Sequence, residues 1–246
     1  MDLPALPIIG SMKNGDSNQI GTLNEKPLHA GLKEWYAEPG DRVEVGVDGY
    51  VVDIVRDELL IEIQTGSLYP IRSKLRQLVK DHAVRLVCPL ARDKYIVKLP
   101  KSESGQRTRR KSPKHCRIVD LFDEFVTMPD LLDNSNFSIE AVLTEEEEVR
   151  RHEAGRAWRR KGWVIQERRL IEVVDSQLFK KPAEMVRLIP EGIEQPFTTA
   201  TLSESLDIRR RLAQKMAYCL RNMGAITQVG KQGNAYLYER AEGLAA

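Results

Sequence analysis

The sequence predicts an α+β protein in which an N-terminal α-β-β-β-α-β unit is followed by helices and a final β-hairpin. Three observations predict this class. Residues 42–65 alternate between apolar and polar side chains as three short strands, and apolar stripes of helical spacing lie on both sides of them. Residues 196–240 then have the pattern of two helices and a hairpin. With 246 residues and 41% hydrophobic content, the chain can bury two modest cores, so we expect two domains.

Composition argues against a membrane-spanning or disulfide-stabilised protein. The sequence has no apolar run long enough to cross a bilayer and no signal sequence at its start, so we expect no membrane partner. Cys88, Cys116 and Cys219 are too scattered for a zinc cluster or a disulfide framework, which fits the reducing cytoplasm. Residues 1–24 are rich in Gly, Ser, Asn and Pro and are expected to form a flexible leader.

Three strands joined by two tight turns form an N-terminal meander. The turns Asp48-Gly49 and Asp57-Glu58 are each expected to join an antiparallel pair. This pairing places Glu44 opposite Asp53 and Asp53 opposite Glu62, in one acidic row across the sheet. The opposite face is then almost wholly apolar and must be covered. It consists of Val43, Val45, Val47, Tyr50, Val52, Ile54, Leu59, Ile61 and Ile63.

The acidic row predicts a cation site. Like charges directly opposite one another on a sheet repel, so three ionised carboxylates need protonation, solvent or a cation. Mg²⁺ or Mn²⁺ binds carboxylate and phosphate oxygens, orients water and stabilises charge on a phosphodiester. The alternative is a solvent-facing sheet whose acidic residues keep it soluble.

The helices on either side of the meander contribute further polar residues. The helix expected over 71–80 has an apolar stripe that should cover the apolar face. Lys74 lies beside that stripe and either brings a cation to the carboxylates or stays a surface lysine. On the first helix, over 28–36, Glu34 is a candidate outer ligand, and His29 is either a base or a structural hydrogen-bonding residue.

A family resemblance rests on this order of elements and on two short motifs. A leading helix, a strand that carries Asp53, a strand that carries Glu62-Ile63-Gln64, a helix and another strand resemble the PD-(D/E)XK nuclease superfamily. In that family an acidic residue and an acid-x-Lys motif bind Mg²⁺ and position the attacking water. The resemblance covers about residues 28–99 and implies a restriction-endonuclease-like domain over 25–100.

The resemblance assigns roles to five residues. Asp53 and Glu62 become the ligands of Mg²⁺ or Mn²⁺, and Gln64 occupies the position of the family lysine. Glu44 and Lys74 complete the catalytic set. The chain departs from the family at that lysine, although some restriction enzymes also carry Gln there, and at the residue before Asp53, which is valine instead of proline. Two functions are therefore expected: a metal-dependent DNA endonuclease, or a catalytically inactive nuclease-fold DNA-binding protein that acts as a transcriptional regulator or as a subunit of a defence or repair complex.

The middle of the chain begins with a basic segment. Residues 101–117 follow a strand over 94–99 and carry mostly positive charges without an apolar period. They are expected to form an exposed linker or loop that either contacts nucleic acid or is simply solvated. A connecting α/β region over 118–179 starts with a helical stripe at 118–125 and contains a strand at 170–175.

Within this region, residues 144–170 combine an acidic run with tryptophans and cations. Thr144 and Glu147 fit a capping box that opens a helix. Trp158 and Trp163 follow, and their basic neighbours suit phosphate contacts beside stacking platforms, or else the tryptophans anchor a core or an interface. These neighbours are Arg156, Arg159, Arg160 and Lys161.

The C-terminal region, residues 180–241, has a short helix at 199–206, a longer helix at 209–223 and a hairpin over 225–238. This order resembles a winged helix-turn-helix domain, which implies that the longer helix lies in the DNA major groove. The alternative is a protein-interaction module. Adjacent arginines favour DNA as the partner, with either a second copy of the chain or a larger complex beside it. The residues expected to contact DNA are Arg209, Arg210, Arg211, Gln214, Lys215 and Lys231.

Overall fold

The computed structural model describes residues 26–102 and 104–241, so the expected leader at 1–24 lies outside the described residues. Within these residues a seven-stranded mixed sheet carries helices on both faces, and two further strands form a separate sheet. The α+β class is therefore confirmed. In chain order the elements are α1 (Pro27–Tyr36), β1 (Arg42–Val47), β2 (Tyr50–Arg56), β3 (Leu59–Ile63), α2 (Arg72–Leu78), β4 (Ala83–Lys98), β5 (Thr108–Lys111), α3 (Phe122–Phe125), β6 (Phe137–His152), β7 (Trp163–Phe179), α4 (Pro182–Val186), α5 (Thr199–Leu206), α6 (Arg210–Asn222), β8 (Ile226–Gln232) and β9 (Ala235–Arg240).

The large sheet has the strand order β1-β2-β3-β4-β6-β7, and β5 pairs with the far half of β4. β4 lies parallel to both β3 and β6, whereas the other neighbours are antiparallel. β3 pairs only with the first five residues of β4, so the 16 residues of β4 continue well beyond the end of β3. The carboxyl end of β3 therefore opens onto the surface that β4 and β6 form.

The meander has the predicted register. Both turns contain two residues, and the flanking pairs set Glu44 opposite Asp53. The ladder between β2 and β3 ends where Ile54 pairs with Ile61, and Asp53 and Glu62 occupy the next position. The two strands thus stop pairing at the carboxylates.

The expectation of a single apolar face on the meander is wrong. Val52 packs on the side of α2, but Ile54 packs on the side of α1. Val52 and Ile54 are two residues apart on β2 and would share a face in a regular strand. The alternation is therefore broken at Asp53, which lies opposite Glu44, and the φ of 54° at Glu44 lies in the left-handed region. Val45, Val47 and Tyr50 lie on the side of Val52, and Leu59, Ile61 and Ile63 lie on the side of Ile54.

Two helices cover the apolar residues of the meander, whereas the sequence predicts that the helix at 71–80 covers them alone. α2 buries Leu75 and Leu78 against the side of Val52. α1 covers the other side through Leu28 and Leu32, which are one helical turn apart, and Pro27 suits its first turn. Each carboxylate of the meander therefore has a helix nearby.

The end of α1 is anchored by a buried polar cluster. The Tyr36 hydroxyl donates to Glu140 Oε2 at 2.5 Å and accepts from Arg85 at 2.9 Å. Burial, opposed by Arg85 and assisted by Glu140, raises the pKa of Tyr36 to about 12, so the phenol stays protonated. The position of α1 on the sheet is thus fixed by polar as well as apolar contacts.

The larger core continues from the sheet into the C-terminal region. Phe122 and Phe125 of α3 are fully buried in the cluster that also contains Leu212 and Met216 of α6. Full burial of such a side chain contributes about 1.5–3 kcal/mol. Apolar packing therefore holds the C-terminal helices on the sheet.

The helix predicted to open at Thr144 is wrong, because this segment belongs to β6. Its glutamates pair with β4 and β7, and Glu147 meets Arg107 and Arg109 at 3.1 Å each. Long-range ladder bonds and these ion pairs outweigh a local capping pattern. The predicted linker also contains a strand, β5, at its centre.

The C-terminal elements follow the prediction closely. α5 spans 199–206 as predicted, and Thr198 caps it by accepting the backbone N–H groups of Ala200 and Thr201. α6 ends before Gly224, whose φ is 68°. No helix in the described part of the chain is long and apolar enough to cross a membrane.

Candidate functional site

Asp53 lies just beyond the last residue of β2 that pairs with β3, and its carboxylate accepts a backbone N–H group of β3. Asp53 Oδ2 accepts the N–H of Ile63 at 2.8 Å and lies 3.2 Å from His29 Nε2 on α1. Burial favours a higher pKa for Asp53, but the hydrogen bond and charge of His29, together with the Ile63 N–H, hold that pKa below its usual value. Asp53 is therefore an ionised and firmly positioned carboxylate.

Glu62 lies on β3 and is only 5% exposed. Lys74 Nζ of α2 is 2.5 Å from Glu62 Oε1, and it also donates to the carbonyl oxygen of Val51 at 2.5 Å. Burial and the negative charge of Asp53 raise the pKa of Glu62 above its usual value, against the opposing effect of Lys74. Two neighbouring carboxylates with pKa values shifted in opposite directions are typical of functional sites.

The structure thus brings three of the predicted residues together: Asp53, Glu62 and Lys74. Gln64 makes a different contact, since its Nε2 donates to the Ser67 carbonyl oxygen at 2.7 Å in the loop after β3. Glu44 pairs with Lys33 of α1 at 2.7 Å. Neither contact involves the other carboxylates.

The donor set suits a hard cation with few protein ligands. Among residues 26–102 and 104–241, no group of three or more His, Cys, Asp or Glu side chains has the arrangement of a metal site. Mg²⁺ commonly binds through one or two carboxylates and completes its shell with water and phosphate. Glu62 Oε1 faces the Lys74 ammonium at 2.5 Å, so a cation bound by this carboxylate would lie beside Lys74.

A second polar surface lies on α6. Arg211, Gln214, Tyr218 and Arg221 are exposed and recur at helical spacing along one side of the helix. The β8–β9 hairpin adds Lys231, which stacks over the Tyr236 ring at 4.9 Å. The exposed side of α6 and the hairpin therefore both carry polar and basic side chains.

The remaining predicted DNA contacts at the start of α6 also bind within the protein. Lys215 Nζ donates to the backbone oxygen of Asp123 at 2.6 Å and to its Oδ1 at 3.0 Å. Arg209 lies 3.3 Å from the same carboxylate, and Arg210 Nε donates to Thr199 Oγ1 at 3.1 Å. Asp123 thus joins α3 to α6 through two cations, of which only Arg209 is well exposed.

The sequence profile of the family described as Domain of unknown function (DUF8091) matches residues 26–180. The chain belongs to the DUF8091 family. The match includes Asp53, Glu62 and Lys74 and ends just after β7. A relative from Treponema pallidum (strain Nichols), described as "Uncharacterized protein", is 29% identical over 223 residues, which is 90% of this chain and 87% of that protein. No solved structure matches the chain.

Sequence reasoning missed a cavity within the DUF8091 region. Its volume is about 300 Å³, and it lies beside Gln64 with Lys94, Glu146 and Arg168 in its wall. The alternation of Thr144, Glu146 and Glu148 was the available signal, since these buried positions are two residues apart as in a strand.

The two tryptophans have different environments at the tip of the β6–β7 hairpin. Trp158 is 80% exposed and lies beside the Arg159 guanidinium, 5.1 Å from the ring centre. Trp163 is partly buried against His152 and carries the Lys98 ammonium 4.6 Å from its ring. Trp158 is the ring of this pair that is free to stack on a partner.

Proposed function

We propose that the protein is a metal-dependent DNA endonuclease of the PD-(D/E)XK type, delivered to DNA by a C-terminal winged helix. The cluster of Asp53, Glu62 and Lys74 carries the proposal. It combines two carboxylates whose pKa values are shifted apart with an ammonium from α2 that lies 2.5 Å from Glu62. The order α1-β1-β2-β3-α2-β4 supports a restriction-endonuclease-like fold.

The carboxylates have separate tasks in this proposal. Asp53, ionised and held by His29 and Ile63, would be a permanent ligand of Mg²⁺ or Mn²⁺. Glu62 would be the second ligand, beside the Lys74 ammonium. The bound ion would polarise the phosphodiester and the attacking water.

Lys74 supplies the positive charge that the motif lacks at Gln64. Its ammonium lies against Glu62 and is positioned by the Val51 carbonyl oxygen. A fixed cation beside the reacting phosphate stabilises the negative charge that develops in the transition state. The catalytic cation would therefore come from α2 rather than from β3.

The α6 surface would bind the duplex. Arg211 and Gln214 are exposed near the start of α6, where a recognition helix reaches base edges. Lys231 in the hairpin would neutralise a backbone phosphate. The isolated bridge between Phe197 and Tyr238 attaches the segment before α5 to the edge of the hairpin, which supports the winged-helix assignment.

A plasmid-nicking assay tests the catalytic half of the proposal. With Mg²⁺ or Mn²⁺, Asp53→Asn and Glu62→Gln should each lower the nicking rate at least about 100-fold, as loss of a key electrostatic group does. Glu58→Gln is the matched control, because Glu58 is an exposed acid in the turn between the same strands. If the folded wild-type protein cleaves no supercoiled, branched or single-stranded DNA with either metal, catalysis is refuted.

A second candidate function is DNA binding without cleavage, as a transcriptional regulator or as a subunit of a defence or repair complex. Gln64 favours it, because its amide is engaged by Ser67, and Lys74 already offsets the charge of Glu62. In that case fluorescence anisotropy should detect DNA binding, while Mn²⁺ should leave the melting temperature of the protein unchanged, because no metal site stabilises the fold.

A further inference from the structure

The cavity beside Gln64 has the position and size of a ligand site. It lies at the carboxyl end of β3, where the chain leaves the sheet, and its volume is about 300 Å³. Ligands of α/β sheets commonly bind at the carboxyl ends of strands, and sites for small molecules start at roughly 300 Å³. The space is suited to a single planar ring and its substituents.

Glu146 provides an unused acceptor in this cavity. The residue is 1% exposed, and its Oε1 accepts the Thr144 hydroxyl at 2.9 Å. Its Oε2 accepts no hydrogen bond from the residues that the structure describes. The Lys94 ammonium lies 3.8 Å away, beyond hydrogen-bond distance. Buried polar atoms are almost always paired, so Oε2 points to a ligand that donates an N–H group.

Positive charge lines the same cavity. Lys114 is exposed, and Arg168 is held in the wall by donating to the Thr65 carbonyl oxygen at 2.7 Å. With Lys94 they make three cations against two carboxylates, Glu146 and the exposed Glu124. The buried acceptor and the exposed cation favour a ligand with an N–H donor at its inner end and an anionic group at its outer end.

The remaining wall includes Pro89, Leu90 and Leu121, which offer apolar surface between the two polar ends. Nucleotides combine these features, since they have a ring with N–H donors, apolar ring faces and an attached anionic phosphate. We propose that the cavity binds one nucleotide, with an amino-bearing base donating to Glu146 and the phosphate against Lys114 and Arg168. Adenine, cytosine and guanine carry such amino groups, whereas thymine presents its ring N–H between two carbonyl oxygens, which a carboxylate repels.

This site goes beyond the proposed nuclease function. Gln64 lines the cavity and follows Glu62 by two residues, so a nucleotide bound here lies close to the candidate cleavage centre. Binding of the nucleotide needs neither a metal nor cleavage, and therefore the two proposals fail separately. An extruded nucleotide of a DNA strand and a free nucleotide share the same chemistry.

Isothermal titration calorimetry of the full chain with EDTA present tests the site. The probes are dAMP, dCMP, dGMP and dTMP, together with short single-stranded oligonucleotides of each base. We expect at least one amino-bearing base to bind about 10-fold or more tightly than thymine, the size of one charge-assisted hydrogen bond. Binding of the oligonucleotide but not of the mononucleotide would identify a DNA strand as the source.

Two variants separate the base contact from the phosphate contact. Glu146→Gln should weaken the amino-bearing probe about 10- to 100-fold and leave thymine unchanged. Glu148→Gln is the matched control, because Glu148 is buried two residues away, lies 3.8 Å from Lys94 and is not part of the cavity wall. Lys114→Ala, at an exposed position that folding tolerates, should weaken all probes by a similar factor.

Three results would overturn the inference: no binding of any mononucleotide or oligonucleotide, equal affinity for all four bases, or equal losses in the variants at 146 and 148. Circular dichroism and thermal melting establish that the variants are folded. If Glu146→Gln does not fold, uniform weakening by Lys114→Ala together with the base preference of the wild type still decides the question.

Discussion

Replacing Lys74 by methionine isolates the charge that the candidate site depends on. The substitution keeps most of the apolar stem but removes the ammonium from Glu62. The side chains of the pair are 17% and 7% exposed, so the bridge is largely buried. Removing one partner of a buried pair costs about 3–5 kcal/mol. Because Lys74 still touches solvent, we expect about 2–3 kcal/mol, or roughly 4–12 °C in melting temperature for a chain of this size.

The loss of stability in Lys74→Met should depend on pH. The pKa of Glu62 is higher in the folded state than in the unfolded state. Glu62 therefore adds its full contribution to the free energy of unfolding below the unfolded pKa, and this contribution is lost as pH rises through the folded pKa. Without Lys74, burial and Asp53 raise that pKa further. Lys74→Met should therefore lower the free energy of unfolding less at about pH 5 than at about pH 8.

Urea denaturation followed by circular dichroism at the two pH values measures this difference. Lys80→Met is the control, because Lys80 is exposed just after α2 and pairs only with Gln77 among the contacts described for its ammonium. The double variant with Glu62→Gln should lose the pH dependence. A destabilisation by Lys74→Met that is the same at both pH values, or no larger than that of Lys80→Met, would refute the reasoning.

Three further predictions concern the polar surfaces. Gln64→Lys in the Lys74→Met background should recover at least about 10-fold in nicking rate, since it restores the missing cation. Arg211→Ala should weaken duplex binding by about 1–3 kcal/mol and relax the base preference, measured by fluorescence anisotropy over duplexes of different sequence. Trp158→Ala should change stability by less than about 0.5 kcal/mol but weaken binding of single-stranded DNA by about 1–3 kcal/mol in the same assay.

Each of these predictions has a contrary outcome. Continued absence of nicking with lysine at 64 would show that the charge alone does not limit the reaction. Unchanged affinity after Arg211→Ala, with Lys80→Ala as the surface control, would remove α6 from the DNA interface. Loss of stability after Trp158→Ala would show that this tryptophan packs inside the protein.

Local chemistry explains what could be predicted from the sequence. The Asp48-Gly49 and Asp57-Glu58 turns define the register of the meander, because two-residue loops leave few alternatives. The boundaries of α5 and α6 follow from the Thr198 cap and from Gly224. All of these signals lie within a few residues of the feature that they determine.

Long-range contacts explain what could not be predicted. The residues that pair between the parallel strands β4 and β6 are 52 or 53 positions apart in the chain, and no local pattern indicates this partner. The acidic run after Thr144 therefore resembled a helix start. The left-handed backbone at Glu44 likewise has no local signal, since glutamate seldom adopts it. The sequence therefore predicts one apolar face for the meander, where the structure has apolar residues on both faces.

The cation of the candidate site comes from α2 for an electrostatic reason. Gln64 lines the cavity that already contains Lys94, Lys114 and Arg168. A lysine at 64 would add a fourth positive charge to that wall and would repel its neighbours. Lys74 reaches Glu62 from α2 and lies outside the cavity wall, so it offsets the carboxylate without this repulsion. Gln64→Lys should consequently recover only part of the nicking rate. The new ammonium replaces the positive charge near Glu62, but it is also repelled by the cations in the cavity wall.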